Sequence, residues 1–160
     1  MGGFMRHPAL LLIAPALLLA LAILPGPSCS ADTIEPGDPV RGLTLAKSRC
    51  TFCHYVEGRG GMIAPPMDKA LSTANLVVRD YENRVRDLKQ KDPAAYAKAQ
   101  AVIDAVLAEK DHAKRYERWL DAYLTATKFD NPMTKMGNVI LSDQERAHII
   151  AWLAIKRPTQ

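Results

Sequence analysis

Cys50-Thr51-Phe52-Cys53-His54 is the stretch of this chain whose residue types and spacing specify chemistry most directly. It reads C-x-x-C-H. A three-residue step brings two thiols to one side of a helical turn, and the next residue projects an imidazole beside them. Thiols so placed can add to the two vinyl groups on neighbouring pyrroles of a porphyrin, with the imidazole facing the iron from the proximal side. The spacing is the attachment signature of c-type haem, and haem iron takes a proximal histidine in many proteins.

Three other readings use the same residues. A structural disulfide across C-x-x-C leaves His54 without a task. A thioredoxin-like redox pair requires a βαβ context, and no strand pattern lies nearby. A tetrahedral zinc site needs four protein ligands. Cys50, Cys53 and His54 supply three, and adjacent Cys53 and His54 would strain to share one ion. Haem attachment gives each of the three residues a role. With no second C-x-x-C-H, internal repeat, phosphate loop or catalytic triad in the sequence, one haem is expected and a second is not.

The rest of the chain must position those residues. Its 160 residues are one domain's worth. Charged residues at 24% and hydrophobic residues at 48% exclude a disordered tail or a disulfide scaffold. The net charge of +4 is too small and too scattered to indicate nucleic acid. Aromatics are only 6%, and a bound cofactor is one way to fill a core so poor in rings.

The N-terminus has the order of a secretory signal peptide. Arg6 and His7 precede the apolar run Ala9–Leu24, then come Pro25, Gly26, Pro27 and the small residues Ser28 to Ala31. The run is shorter than the ~20 residues of a membrane span. The expectation is a signal peptide over 1–31, cleaved near Ala31, and a domain over 32–160. The localisation implied is periplasmic or exported. An uncleaved anchor facing the periplasm is the alternative, and lipidation at Cys29 is a third, disfavoured by Gly26-Pro27-Ser28. Cleavage removes Cys29 and leaves Cys50 and Cys53 in an oxidising compartment, where spare thiols need a purpose.

The flanks of the motif resemble the class I soluble monohaem cytochromes c. Gly37-Asp38-Pro39-Val40-Arg41-Gly42-Leu43, followed by Ala46-Lys47-Ser48-Arg49-Cys50, is similar to that family's first helix. Asp38 suits its cap and Pro39 its first turn. Gly42 stands where the family uses a glycine for a close helix crossing. Ala46 stands where the family usually has an aromatic. Ser142-Asp143-Gln144-Glu145 is a capping box, and Ile149, Ile150, Trp152 and Leu153 follow it at helical spacing, as in the family's last helix. Trp119-Leu120-Asp121-Ala122-Tyr123-Leu124 and Asn131-Pro132-Met133-Thr134-Lys135-Met136-Gly137 are similar to the approach to the second axial ligand. The resemblance implies an all-α fold of the class I cytochrome c type around one covalently bound haem c. It also implies His54 as proximal ligand and a methionine opposite.

Met133 and Met136 both offer a soft thioether, which favours reduced iron. Met136 follows Thr-Lys as in the family and is the expected ligand; Met133 is the runner-up, with apolar packing as its plainer role. Pro132 and Gly137 keep the loop from becoming helical. The family also places a Gly-Pro-x-Leu after the haem motif, whose proline carbonyl accepts the proton of the proximal histidine's far nitrogen. Here the segment is Ala64-Pro65-Pro66-Met67, which nominates Pro65, or Pro66, for that role. His112 and His148 lie in charged helical stretches and read as solvated surface residues.

Between these family-like ends lies a helical insert, about 69–115, longer than a minimal cytochrome of the class needs. One helix is expected from about Asn75 to Gln90, with Leu76, Val77, Tyr81, Val85 and Leu88 as its apolar stripe. Another is expected from Pro93 to about Glu109, opened by an Asp92 cap, with Tyr96, Ala99, Val102, Ile103, Val106 and Leu107 as its apolar stripe, and a third from about His112 to Thr125. The insert shields the haem edge or docks a redox partner. The function expected is an electron carrier, not an enzyme. Its partners are redox proteins met over a weak basic rim of Lys47, Arg49, Lys128 and Lys135; nucleic acid is not among them, and a membrane enters only through an uncleaved signal segment. Alternatives are a dedicated cytochrome subunit of a periplasmic oxidoreductase complex, for example the sulfur-oxidising type that Asn-Pro…Thr-x-Met resembles, and a haem-based gas-binding sensor.

Overall fold

Local caps set most of the helix boundaries. In the computed structural model, which describes residues 34–158, the Asp38 carboxylate accepts from the backbone N–H groups of Val40 and Arg41 and Pro39 fills the first turn, so α1 runs Pro39–Arg49. A two-strand antiparallel ribbon follows, β1 Tyr55–Val56 and β2 Arg59–Gly60. Then come α2 Met67–Arg79, α3 Tyr81–Lys91, α4 Pro93–Ala108, α5 His112–Thr125 and α6 Asp143–Ile155. Asp92 caps α4 through Ala95 N–H, Asp111 caps α5 through Lys114 N–H, and Ser142 with Glu145 forms a reciprocal capping box at α6. The fold class is all-α, as expected; the ribbon is the only strand pairing among the described residues. The signal-peptide reading of residues 1–31 lies outside those residues.

The helices pack around one hydrophobic core. α1 packs most extensively on α6, and α5 touches α2, α4 and α6. The α1–α6 crossing is close enough to require glycine: a Cβ on Gly42 would lie 2.0 Å from the carbonyl oxygen of His148 and 2.8 Å from the Cβ of Trp152. The core gathers Ala46, Leu71, Val78, Tyr81, Ile103, Tyr116, Trp119, Leu120, Ile149 and Trp152. Ile103 and Ile149 are essentially sealed from water, a burial that contributes about 1.5–3 kcal/mol for each such side chain.

Three expectations are corrected. The helix expected over Asn75–Gln90 is two helices, α2 and α3, hinged at Asp80. Leu76 is 59% exposed, and the inward positions are Leu71, Ala74, Asn75, Val78, Tyr81, Val85 and Leu88. These recur at three- and four-residue steps, but a polar Asn75 occupies one of them and disguises the pattern. His148 is not a solvated surface residue. It is buried, and its Nδ1 accepts the Asp38 N–H at 2.8 Å, tying the start of α1 to α6. Val102 of α4, expected on the apolar stripe, is 41% exposed, while Ala99, Ile103 and Val106 face inward.

Candidate haem site

The C-x-x-C-H residues lie on one continuous turn at the end of α1. Cys50 N–H bonds the Ala46 carbonyl at 2.8 Å, and the N–H groups of Cys53 and His54 both bond the Cys50 carbonyl, at 3.2 and 2.9 Å. The two cysteines are unpaired and half-buried, so no disulfide bridges the motif. Burial, then the neighbouring Cys53, pushes the Cys50 thiol up to about 11. A thiol-redox motif depends on the opposite shift, toward thiolate.

The segment after the motif folds back onto this turn. Gly61 N–H bonds the Thr51 carbonyl at 2.7 Å, and Ala64 N–H bonds the Cys53 carbonyl at 3.0 Å. Gly60, at φ 123°, lies so close that a Cβ there would sit 2.2 Å from the His54 carbonyl oxygen. The fold-back delivers the Pro65 carbonyl oxygen to 2.7 Å from Nδ1 of His54. A carbonyl can only accept, so Nδ1 carries the proton and donates, and Nε2 keeps its lone pair for a metal. Between Pro65 and Pro66, the structure gives this contact to Pro65.

The second methionine-bearing segment runs irregularly from the end of α5 to Ser142. Met136 is half-buried and packs on the core, whereas Met133 is 84% exposed. The backbone around Met136 is held by α5 and the residues just after it. The buried Thr127 hydroxyl shares its one proton between the Met136 carbonyl at 3.1 Å and Asn138 Oδ1 at 3.0 Å. Tyr123 OH and Thr134 Oγ1 share a hydrogen bond of 3.1 Å. Thr127 went unnoticed in the sequence, where a threonine beside a helix end carries no distinguishing signal.

The other named residues lie apart from these contacts. His148 is engaged with Asp38 as described. His112 opens α5, and its imidazole is held below its ordinary value by burial and then by Arg157, Arg79 and Arg115. Of the expected basic rim, Arg49 is paired with Glu145 at 3.1 Å, while Lys128 and Lys135 stand exposed on the methionine segment.

The residues present fit haem. Two free thiols stand at attachment spacing, and an imidazole is locked with Nε2 available. A half-buried thioether is fixed through its own backbone. Large apolar side chains in the same segments, Phe52, Met62, Ile63 and Ile140, are at least 75% exposed. No set of three or more His, Cys, Asp or Glu side chains among the described residues is arranged to hold a metal ion by itself. Among those residues no helix is long and apolar enough to cross a membrane.

The family model for cytochrome c matches residues 39–155. The chain belongs to the cytochrome c family, and its all-α fold is the cytochrome c fold. It is a haem-binding electron-transfer protein. Neither the curated proteins nor the solved structures contain a match to it.

Proposed function

We propose that this chain is an exported carrier of single electrons that holds one haem c, linked through Cys50 and Cys53, with His54 as proximal and Met136 as distal iron ligand. The observation that carries the reading is the 2.7 Å contact from His54 Nδ1 to the Pro65 carbonyl. It gives the histidine of the motif the tautomer and orientation a metal ligand needs. When bound, haem supplies a one-electron couple and the protein sets its potential and access. Met136 is preferred over Met133 because it is packed on the core and its carbonyl is held by Thr127. A thioether opposite the imidazole raises the potential. Filling both axial positions excludes substrates from the iron, which favours outer-sphere transfer over catalysis. Export follows from the Arg6–Ala31 pattern, and the partners are other redox proteins of the cell envelope.

Production of the full chain in a host with c-type maturation tests this directly. A pyridine haemochrome assay should return one c-type haem per polypeptide, and N-terminal sequencing should begin near Asp32. A colourless mature protein would overturn the reading. A dedicated subunit of an oxidoreductase complex is the second reading, favoured by the exposed Leu76 and Val102 on the helical insert. Co-purification with one stoichiometric partner from the native source would decide for it.

A further inference from the structure

We propose that Arg84 and Asp130 brace the Met136 segment against α3, making the helical insert a positioning device for the distal ligand. The inference rests on the reading of Met136 as that ligand. Asp130 stands six residues before Met136, where the chain leaves the buried Phe129 and enters Asn131-Pro132. It is 3% exposed. Its Oδ2 accepts from Trp119 Nε1 of α5 at 2.8 Å and from Arg84 Nε of α3 at 3.2 Å. Neither the C-x-x-C-H turn nor the thioether requires a carboxylate here, and a buried charge persists only where donors hold it. A carboxylate gripped from two helices fixes the backbone that carries it.

The surroundings make this grip consequential. A groove of about 600 Å³ separates the α2–α3 face from the segment, lined among others by Leu76, Leu88, Pro132 and Met133. Arg84 and Asp130 both line it and join across it. On the α5 side the segment is held by Tyr123, Thr127 and Trp119. On the α3 side, among the described residues, Arg84–Asp130 is the one ion pair reaching it. Tyr81, also of α3, adds a sealed phenol whose ionisation is opposed by burial and then by the Asp130 charge. Arg84 and Asp130 are positioning residues: they act on the iron only through the segment that bears Met136.

The test uses the haem-loaded full chain carrying Arg84→Met, Asp130→Asn or both, with Arg146→Met as control. Arg146 is also largely enclosed, and its side chain pairs with Asp121 of α5 and Asp143 of α6, outside 131–137. The brace predicts amide exchange about tenfold faster across 131–137 in the Arg84 and Asp130 variants. It predicts carbon monoxide binding to the reduced protein about tenfold faster, partly reversed in Arg84→Lys. Arg146→Met should lower Tm while leaving both readouts unmoved. If Arg84→Met fails to fold because Asp130 is left as a lone buried charge, the double variant supplies the same measurement. Unchanged exchange in a folded Arg84→Met protein, or equal changes in Arg146→Met, overturns the brace. Faster exchange with an unchanged iron site overturns its action on the ligand. Met136→Ala separates the underlying assumption: if it leaves the iron closed to carbon monoxide, the ligand reading has failed, whatever exchange reports.

Discussion

His54 Nδ1 and the carbonyl oxygen of Pro65 stand 2.7 Å apart, eleven residues away in sequence. The acceptor is main chain, so the fold-back of the Gly60–Ala64 segment creates the bond and the proline side chain does not. This separates two substitutions. Pro65→Ala keeps a carbonyl at the same place and should retain the holoprotein's visible spectrum and a full haem load. His54→Ala removes the imidazole and should lose the axial field and most assembled haem. Pyridine haemochrome and visible spectra on both variants check this; full incorporation with unaltered spectra in His54→Ala would count against the assignment.

Met136 and Met133 can be told apart by their surroundings. Met136 is half-buried with its carbonyl held by Thr127, and Met133 projects into solvent. Met136→Ala should lower the reduction potential and let the reduced protein bind carbon monoxide. Met133→Ala should do neither. The reverse pattern would transfer the ligand role to Met133. Potentiometry and carbon monoxide difference spectra report both properties in one preparation.

How much of this architecture was readable in advance depended on how far apart the interacting residues are. Asp38-Pro39, Asp92-Pro93 and Ser142 with Glu145 announce helix starts because cap and helix are neighbours in the chain, and α1, α4 and α6 begin where these signals place them. The α2–α3 hinge at Asp80 has no proline or glycine to mark it. Asp80 N–H still bonds the Leu76 carbonyl, and its own carbonyl accepts from Arg84, so the helical pattern runs through the break. Asn75, inward-facing and polar, shifted the apparent stripe toward Leu76. His148 is bonded to Asp38, 110 residues away, and Asp130 to Arg84, 46 residues away. In the candidate site, the C-x-x-C-H turn was legible because its chemistry is local. Thr127 and Gly60 were not, because their roles exist only once distant backbone is folded onto them.

The α1–α6 crossing predicts a severe effect from one methyl group. Gly42→Ala places a Cβ 2.0 Å from the His148 carbonyl oxygen. That neighbour is main chain in the middle of α6, so relief requires the helices to separate. The cost should be about 1–3 kcal/mol or more, a drop in Tm on the order of 10 °C. Gly137→Ala is the contrasting case, because a Cβ there meets nothing within 4 Å, and it should leave Tm nearly unchanged. Thermal unfolding followed by far-UV circular dichroism compares the two.

Acid should unfold the protein through its helix caps. Asp38 and Asp111 are held below the usual carboxylate range, chiefly by the N–H groups of Val40 and of Lys114. Glu145 is lowered by the Ser142 N–H first and then by Arg49. A carboxyl whose folded value lies below its unfolded value binds protons more readily when unfolded, so stability rises with pH across the interval between the two. The contribution is fully present above the unfolded values, near 4, and is lost as pH falls through the lower folded ones. Unfolding midpoints should therefore be flat in this respect above about pH 5 and fall steeply toward pH 3. Asp111 is exposed and Asp38 and Glu145 are partly exposed, so added salt should weaken the charge contributions from Arg41 and Arg49 while leaving the N–H bonds in place. Asp38→Asn retains a capping oxygen without the charge. Its stability should fall less between pH 5 and pH 3 than that of the parent, and denaturant titrations at a series of pH values measure the difference; parallel curves would remove Asp38 from the acid response.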